Sequence, residues 1–216
     1  MTAPSRHAAP DGGSQRRIRV LHFVTGGFSG GATQVAVQLV RAARDSDAIE
    51  PLLVLRRKRQ TPAARLEELQ RDGVPMAVVP GWSHAATILA LVRLCRQFRP
   101  DVLVAHGFSE HLWGRYAGLL AKVPHLVHVE HNTRERYTRW RLLQSRWLAR
   151  RTDRIVGCSE GVRLALLEMG MPPEGMKMPE MMMDGMGRMG GMSGSGANSG
   201  SMPAAPGGGM APGGMN

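Results

Sequence analysis

Cysteine and aromatic residues are scarce in this chain. Its 216 residues include two cysteines, Cys95 and Cys158, and aromatic side chains make up 5%. Two thiols are too few for the disulfide framework of a secreted domain. Both fall in segments patterned as buried helix or strand, so reduced core thiols are expected. Long apolar runs are also missing. The most apolar window, around Ala85–Val92, is far short of the ~20 residues that cross a bilayer. Met1–Arg17 is polar, with none of the hydrophobic stretch a secretory signal needs. The expected location is cytoplasmic. Acidic charge is short too: 28 Lys and Arg face 17 Asp and Glu, a net charge of +11. That excess favours phosphate groups, nucleic acid or an anionic membrane without choosing among them. It concentrates at Arg56–Arg59 and Arg134–Arg154.

Six β-rich runs alternate with helical patterns. Ile18–Val24 leads into a helix over Ala32–Arg44, and Pro51–Arg56 into one over Pro62–Arg71. Val74–Val79 precedes Ala85–Phe98, and Val102–Ala105 precedes Glu110–Lys122. His125–Glu130 is followed by Thr138–Arg151, and Arg154–Cys158 by Glu160–Met169. Buried strands alternating with helices of this length imply right-handed crossovers and a parallel sheet covered on both faces. The fold class is therefore α/β, a Rossmann-like doubly wound sheet. In such sheets ligands lie beyond the carboxyl ends of the strands, so the residues that follow each strand are the candidates.

The first strand exits into Thr25-Gly26-Gly27-Phe28-Ser29-Gly30-Gly31-Ala32. Glycines let a backbone approach a ligand, and a helix start offers free N–H groups to an anion. The spacing is neither G-x-G-x-x-G nor a Walker loop, and a plain tight turn is the competing account. After the second strand, Arg56-Arg57-Lys58-Arg59 suits either a solvated loop or the 2′-phosphate of NADP. His106, Glu110, His131 and Asn132 follow later strands, and Ser159 stands where a helix cap is expected. His106 and His131 are expected to point into the crevice, unlike His22 and His128. Alternation along His125–His131 places His125 and His131 on one face and His128 and Glu130 on the other, which argues against a compact metal site. Tyr137, Trp140, Leu143, Trp147 and Leu148 form a stripe among arginines. It can pack on the sheet as a crossover helix or lie on an anionic membrane.

The segments RVLHFVTGGFSGGATQVAVQLVRAA, RPDVLVAHGFSEHLWGRYAGLLAKVPHLVHVEHN and TDRIVGCSEGVRLALLEMGMPPE resemble the amino-terminal domain of family 4 glycosyltransferases of the GT-B fold, over residues 18–174. The resemblance implies a retaining transferase that uses a nucleotide-sugar donor as substrate and needs no cofactor or metal. It assigns Gly30 and Gly31 to the loop facing the donor diphosphate and matches His106 to the histidine after the fourth strand; with Glu110, placed at the start of the following helix, His106 is a substrate-binding candidate. His131, with Asn132 beside it, stands near the transferred sugar in the catalytic position. The family's Gly-Gly-Ala-Glu-Arg is here Gly30-Gly31-Ala32-Thr33-Gln34. The implied acceptor is a glycan or lipid-linked saccharide, with Arg134–Arg151 suited to peripheral contact at the inner membrane face and no specific nucleic acid expected.

Three segments are therefore expected: an arm over 1–17, the Rossmann-like domain over 18–174, and a low-complexity tail over 175–216. The tail holds 11 Met and 13 Gly in 42 residues without apolar periodicity, and glycine-rich sequence cannot offset the entropy of ordering. Disorder is expected there, with truncation or a frame change after residue 174 as the simplest origin. Without the donor-binding half the domain alone is expected to be inactive. A nucleotide-binding module of the NADP type and a non-enzymatic interaction protein are the alternatives.

Overall fold

The computed structural model describes residues 16–132 and 138–171, and the predicted tail and most of the predicted arm lie outside them. Twelve elements alternate: β1 (Ile18–Thr25), α1 (Gly31–Ala43), β2 (Ile49–Arg56), α2 (Ala63–Arg71), β3 (Met76–Val79), α3 (His84–Phe98), β4 (Val102–His106), α4 (Phe108–Ala121), β5 (His125–Glu130), α5 (Arg139–Ala149), β6 (Arg154–Gly157) and α6 (Glu160–Glu168). The six strands form one sheet in the order β3-β2-β1-β4-β5-β6, with every pair parallel. The strand order reverses between β1 and β4, where a doubly wound sheet opens its ligand crevice.

Alternation along the strands divides the core into two layers. Leu21, Phe23, Leu103, Ala105 and Leu126 pack with Leu91 and Cys95 of α3 and Ala117 of α4. Val24, Leu53 and Leu55 face the other way, against Val37 and Val40 of α1 and Leu69 of α2. Helix α4 lies close to the sheet because it has glycines where it crosses. A Cβ on Gly114 would sit 2.9 Å from both the Ala105 Cβ and a Phe23 ring carbon, and one on Gly118 would sit 2.4 Å from a Leu126 methyl. Serines cap two helices: Ser83 accepts from the Ala86 N–H of α3 and Ser159 from the Val162 N–H of α6.

Two expectations are corrected. Cys95 is a buried thiol, but Cys158 is exposed, because it follows β6 at the edge of the sheet, where no further strand covers it. Of the α5 stripe, Leu148 is buried, but the remaining described positions are not packed on the sheet. Trp140, Leu143 and Trp147 are 69%, 57% and 45% exposed. The buried face consists of Ser145, Leu148 and Ala149. At 100° per residue these occupy a different side of the helix from positions 140, 143 and 147. Tyr137 lies outside the described residues.

Candidate functional site

The β1–α1 turn is tied down at its base and open at its tip. The Gly26 N–H donates to the Arg56 carbonyl at 2.8 Å, and a Cβ at Gly26 would sit 2.6 Å from that oxygen. Gly26 is thus the residue that lets the exits of β1 and β2 meet. Gly30 and Gly31 differ: nothing lies within 4 Å of where their Cβ atoms would be. Gly30 is the N-cap of α1 and makes no side-chain cap bond. The start of α1 therefore has no capping side chain from Gly30, and the space beside Gly30 and Gly31 is open, an arrangement suited to an anion at a helix N-terminus. Thr33, fully buried, holds the turn by donating its hydroxyl to the carbonyls of Thr25 (3.0 Å) and Gly27 (2.8 Å).

Across the switch point runs a file of three histidines on adjacent strands. Nδ1 of His22 lies 3.1 Å from Nε2 of His106, and Nδ1 of His106 lies 3.3 Å from Nε2 of His131. His22 and His106 are buried, while His131 is half-buried at the end of β5. His106 therefore reaches the crevice only through His131, which corrects the expectation that both rings open into it. Desolvation holds His22 at about 4 and His106 at about 3, the latter lowered further by its histidine neighbours. His131 is lowered by desolvation, with Glu130 opposing. All three are neutral near pH 7. Each shared proton sits on one of two facing nitrogens, so the three rings adopt one tautomer together: all Nε2–H or all Nδ1–H.

The carboxylates stand behind these groups. Glu110, buried at the start of α4, pairs with Arg56 at 3.4 Å and Lys58 at 3.3 Å. Arg56 is itself buried and donates to the Thr87 hydroxyl and the Gly81 carbonyl, so it does not belong to a solvated basic loop. Gly107, at φ 74°, links His106 to α4, and a Cβ there would lie 3.7 Å from that of Ala32 in α1. The helix starts of α1 and α4 therefore border one crevice. Glu130 accepts from the backbone N–H groups of His131 (2.9 Å) and Asn132 (3.3 Å), fixing the exit of β5. Asn132 is exposed there.

On the opposite sheet face, His128 and Glu130 meet His111 of α4, with candidate ligand atoms within 4.8 Å of one another. Strand parity had separated His128 and Glu130 from His125 and His131, but a third donor from a helix was not visible to it. The buried Arg115 guanidinium lies 2.5 Å from His111 Nδ1 and 3.1 Å from the Thr152 hydroxyl. A cation thus already occupies this pocket, and a second would be repelled. His128 Nε2 lies 3.4 Å from a Glu130 oxygen but is not aligned for a hydrogen bond. Burial holds the His128 ring well below its ordinary pKa, so the pair is a contact of a neutral ring with a carboxylate. Arg115 was not named from the sequence, and His22, Thr33 and Glu130 were named without a role in the site. The available signal was parity with inter-strand register, which places His22 and His106 on one sheet face.

Residues 29–178 match the sequence model for glycosyltransferase family 4. The chain belongs to glycosyltransferase family 4. No protein of curated function matches it in sequence. Among solved structures, a glycosyltransferase from Rickettsia africae is similar at 12% identity and a TM-score of 0.55, over 71% of this chain and 40% of that one. A UDP-GlcNAc 2-epimerase from Neisseria meningitidis bound to UDP-GlcNAc gives 15% and 0.53, over 72% and 44%. A lipopolysaccharide outer core galactosyltransferase gives 14% and 0.52, over 72% and 43%. These likenesses establish half of a GT-B architecture as the fold of this family 4 chain. The chain spans 40–44% of the length of these three proteins.

Proposed function

We propose that this chain forms the acceptor-side half of a site that moves a sugar from a nucleotide-sugar donor to a glycan or lipid-linked acceptor. The uncapped start of α1, open at Gly30 and Gly31 and bordering the crevice that contains His131, carries the proposal. Cleavage of a sugar–phosphate bond builds negative charge on the leaving diphosphate, and fixed N–H groups at a helix start stabilise charge that develops there. His131, neutral and held through Nε2 by His106, presents Nδ1 to orient a sugar hydroxyl, with Asn132 beside it. The exposed Trp140, Leu143 and Trp147 of α5, with Arg139, Arg146 and Arg150 exposed around them, support an acceptor held at an anionic membrane surface.

Calorimetric titration of UDP-sugars into the chain tests this. Binding should weaken at least about tenfold in Gly31→Val, equivalent to about 1.4 kcal/mol. Since no atom lies within 4 Å of that Cβ position, the variant should fold normally. Equal binding by the folded variant, or none by the parent, would refute the donor assignment.

A further inference from the structure

The basic run after β2 divides in two. Arg56 turns inward to Glu110, whereas Arg57, Lys58 and Arg59 remain exposed. These three line, with Pro80, Gly81 and Trp82 of the β3–α3 turn, a concavity of about 520 Å³. The wall is firmly built. The Arg57 N–H donates to the Val79 carbonyl at 2.9 Å. A Cβ on Gly81 would fall 1.7 Å from the Arg57 carbonyl oxygen, so only glycine allows the two strand exits to abut.

Among the described residues, two features of this concavity are left facing solvent. Trp82 is 84% exposed, and burying an indole is among the most favourable apolar gains a chain can make. Lys58 has Glu110 as a partner, but among the described residues no carboxylate pairs with Arg57 or Arg59. A flat aromatic face beside two uncommitted guanidinium groups matches one kind of ligand. A guanidinium fork fits phosphate oxygens in bidentate fashion, and the indole offers a platform for the apolar face of a pyranose ring.

We propose that this concavity binds a phosphate-bearing sugar, with the phosphate at Arg57 and Arg59 and the ring against Trp82. The proposal rests on the sugar-transfer function in one respect, namely that the ligand is the acceptor. The concavity sits at β2 and β3, and His131 ends β5 three strands from β2, a lateral distance of about 14 Å. The phosphate therefore belongs to a unit of the acceptor remote from the hydroxyl that receives the sugar. Glu110 connects the two regions, pairing with Lys58 from the same helix start that borders the donor turn.

The indole N–H resonance of Trp82, assigned by its loss in Trp82→Phe, reports binding in the whole chain. Glucose 6-phosphate should shift it, with glucose and inorganic phosphate each binding at least about tenfold more weakly. Arg57→Gln with Arg59→Gln should abolish most of the glucose 6-phosphate affinity and leave UDP-induced shifts at Gly30 and Gly31 in place. Octyl glucoside 6-phosphate separates the sources: tighter binding than the free phosphosugar identifies a lipid head group, equal binding a soluble ligand. Glucose binding as well as its phosphate, or an unaffected double variant, would overturn the proposal. Tighter binding of adenosine 2′,5′-bisphosphate would also overturn it and give the concavity to a nucleotide. If glucose 6-phosphate binds while UDP leaves Gly30 and Gly31 unmoved, the phosphosugar site stands and the donor assignment fails.

Discussion

Among single residues, the histidines govern how this domain answers to pH. His22 and His106 are neutral when folded, at about 4 and about 3, but titrate near 6.5 when unfolded. His111 and His128, also buried, are held well below that value. The unfolded chain therefore binds protons first as pH falls. Stability is complete above about pH 6.5 and declines below it until the folded rings protonate near 4 and 3. By about pH 5.5 each buried ring should have cost on the order of 1 kcal/mol. Urea unfolding across pH checks this, and a midpoint unchanged between pH 7 and 5.5 would contradict the neutral assignments. His106→Ala should cost about 2–4 kcal/mol, because it leaves a void and removes the partner of both His22 and His131. His131→Ala, at a half-buried strand end, should cost well under half of that. The candidates His106 and His131 were legible as polar residues at strand ends. Their connection was not, since it depends on His22 four residues inside β1 and on the register of three strands.

For the elements, binary patterning was sufficient. All twelve fall within two residues of their expected bounds, because the central strands β1 and β4 are nearly continuous apolar runs and turn residues separate the elements. Helix α5 was the failure. Its apolar stripe was visible, but sequence cannot say which side of an amphipathic helix a fold covers, and here a Ser–Leu–Ala face suffices for packing. Replacing Trp140 and Trp147 with serine should leave stability within about 0.5 kcal/mol, as expected of exposed sites. It should sharply reduce sedimentation with vesicles of anionic lipid. Retained sedimentation would move the contact elsewhere. Helix α4 gives the opposite case: Gly114→Leu should destabilise by about 1–3 kcal/mol or more through overpacking against Ala105 and Phe23, measured as a lowered denaturant midpoint.

As a whole molecule, the domain brings three proposed binding features to the ends of its strands: an uncapped helix start after β1, a histidine after β5 and a cationic, aromatic concavity at β2 and β3. The net charge of +11 gives long-range attraction to anionic ligands and surfaces, so both vesicle and phosphosugar binding should weaken as salt rises. Family 4 membership was legible in the glycine turn and strand-end residues, whereas the basic run after β2 was not interpretable alone. Its division into a buried Arg56 and exposed Arg57 and Arg59 arises from Glu110, more than fifty residues later. The account depends most on the place where the donor binds. Backbone amide resonances recorded during a UDP-sugar titration show that place directly. The largest shifts should fall at Gly27, Gly30, Gly31 and Ala32, with a second group at His131 and Asn132. Shifts confined to other surfaces, or none at these residues at saturation, would contradict the assignment of this crevice to a nucleotide sugar.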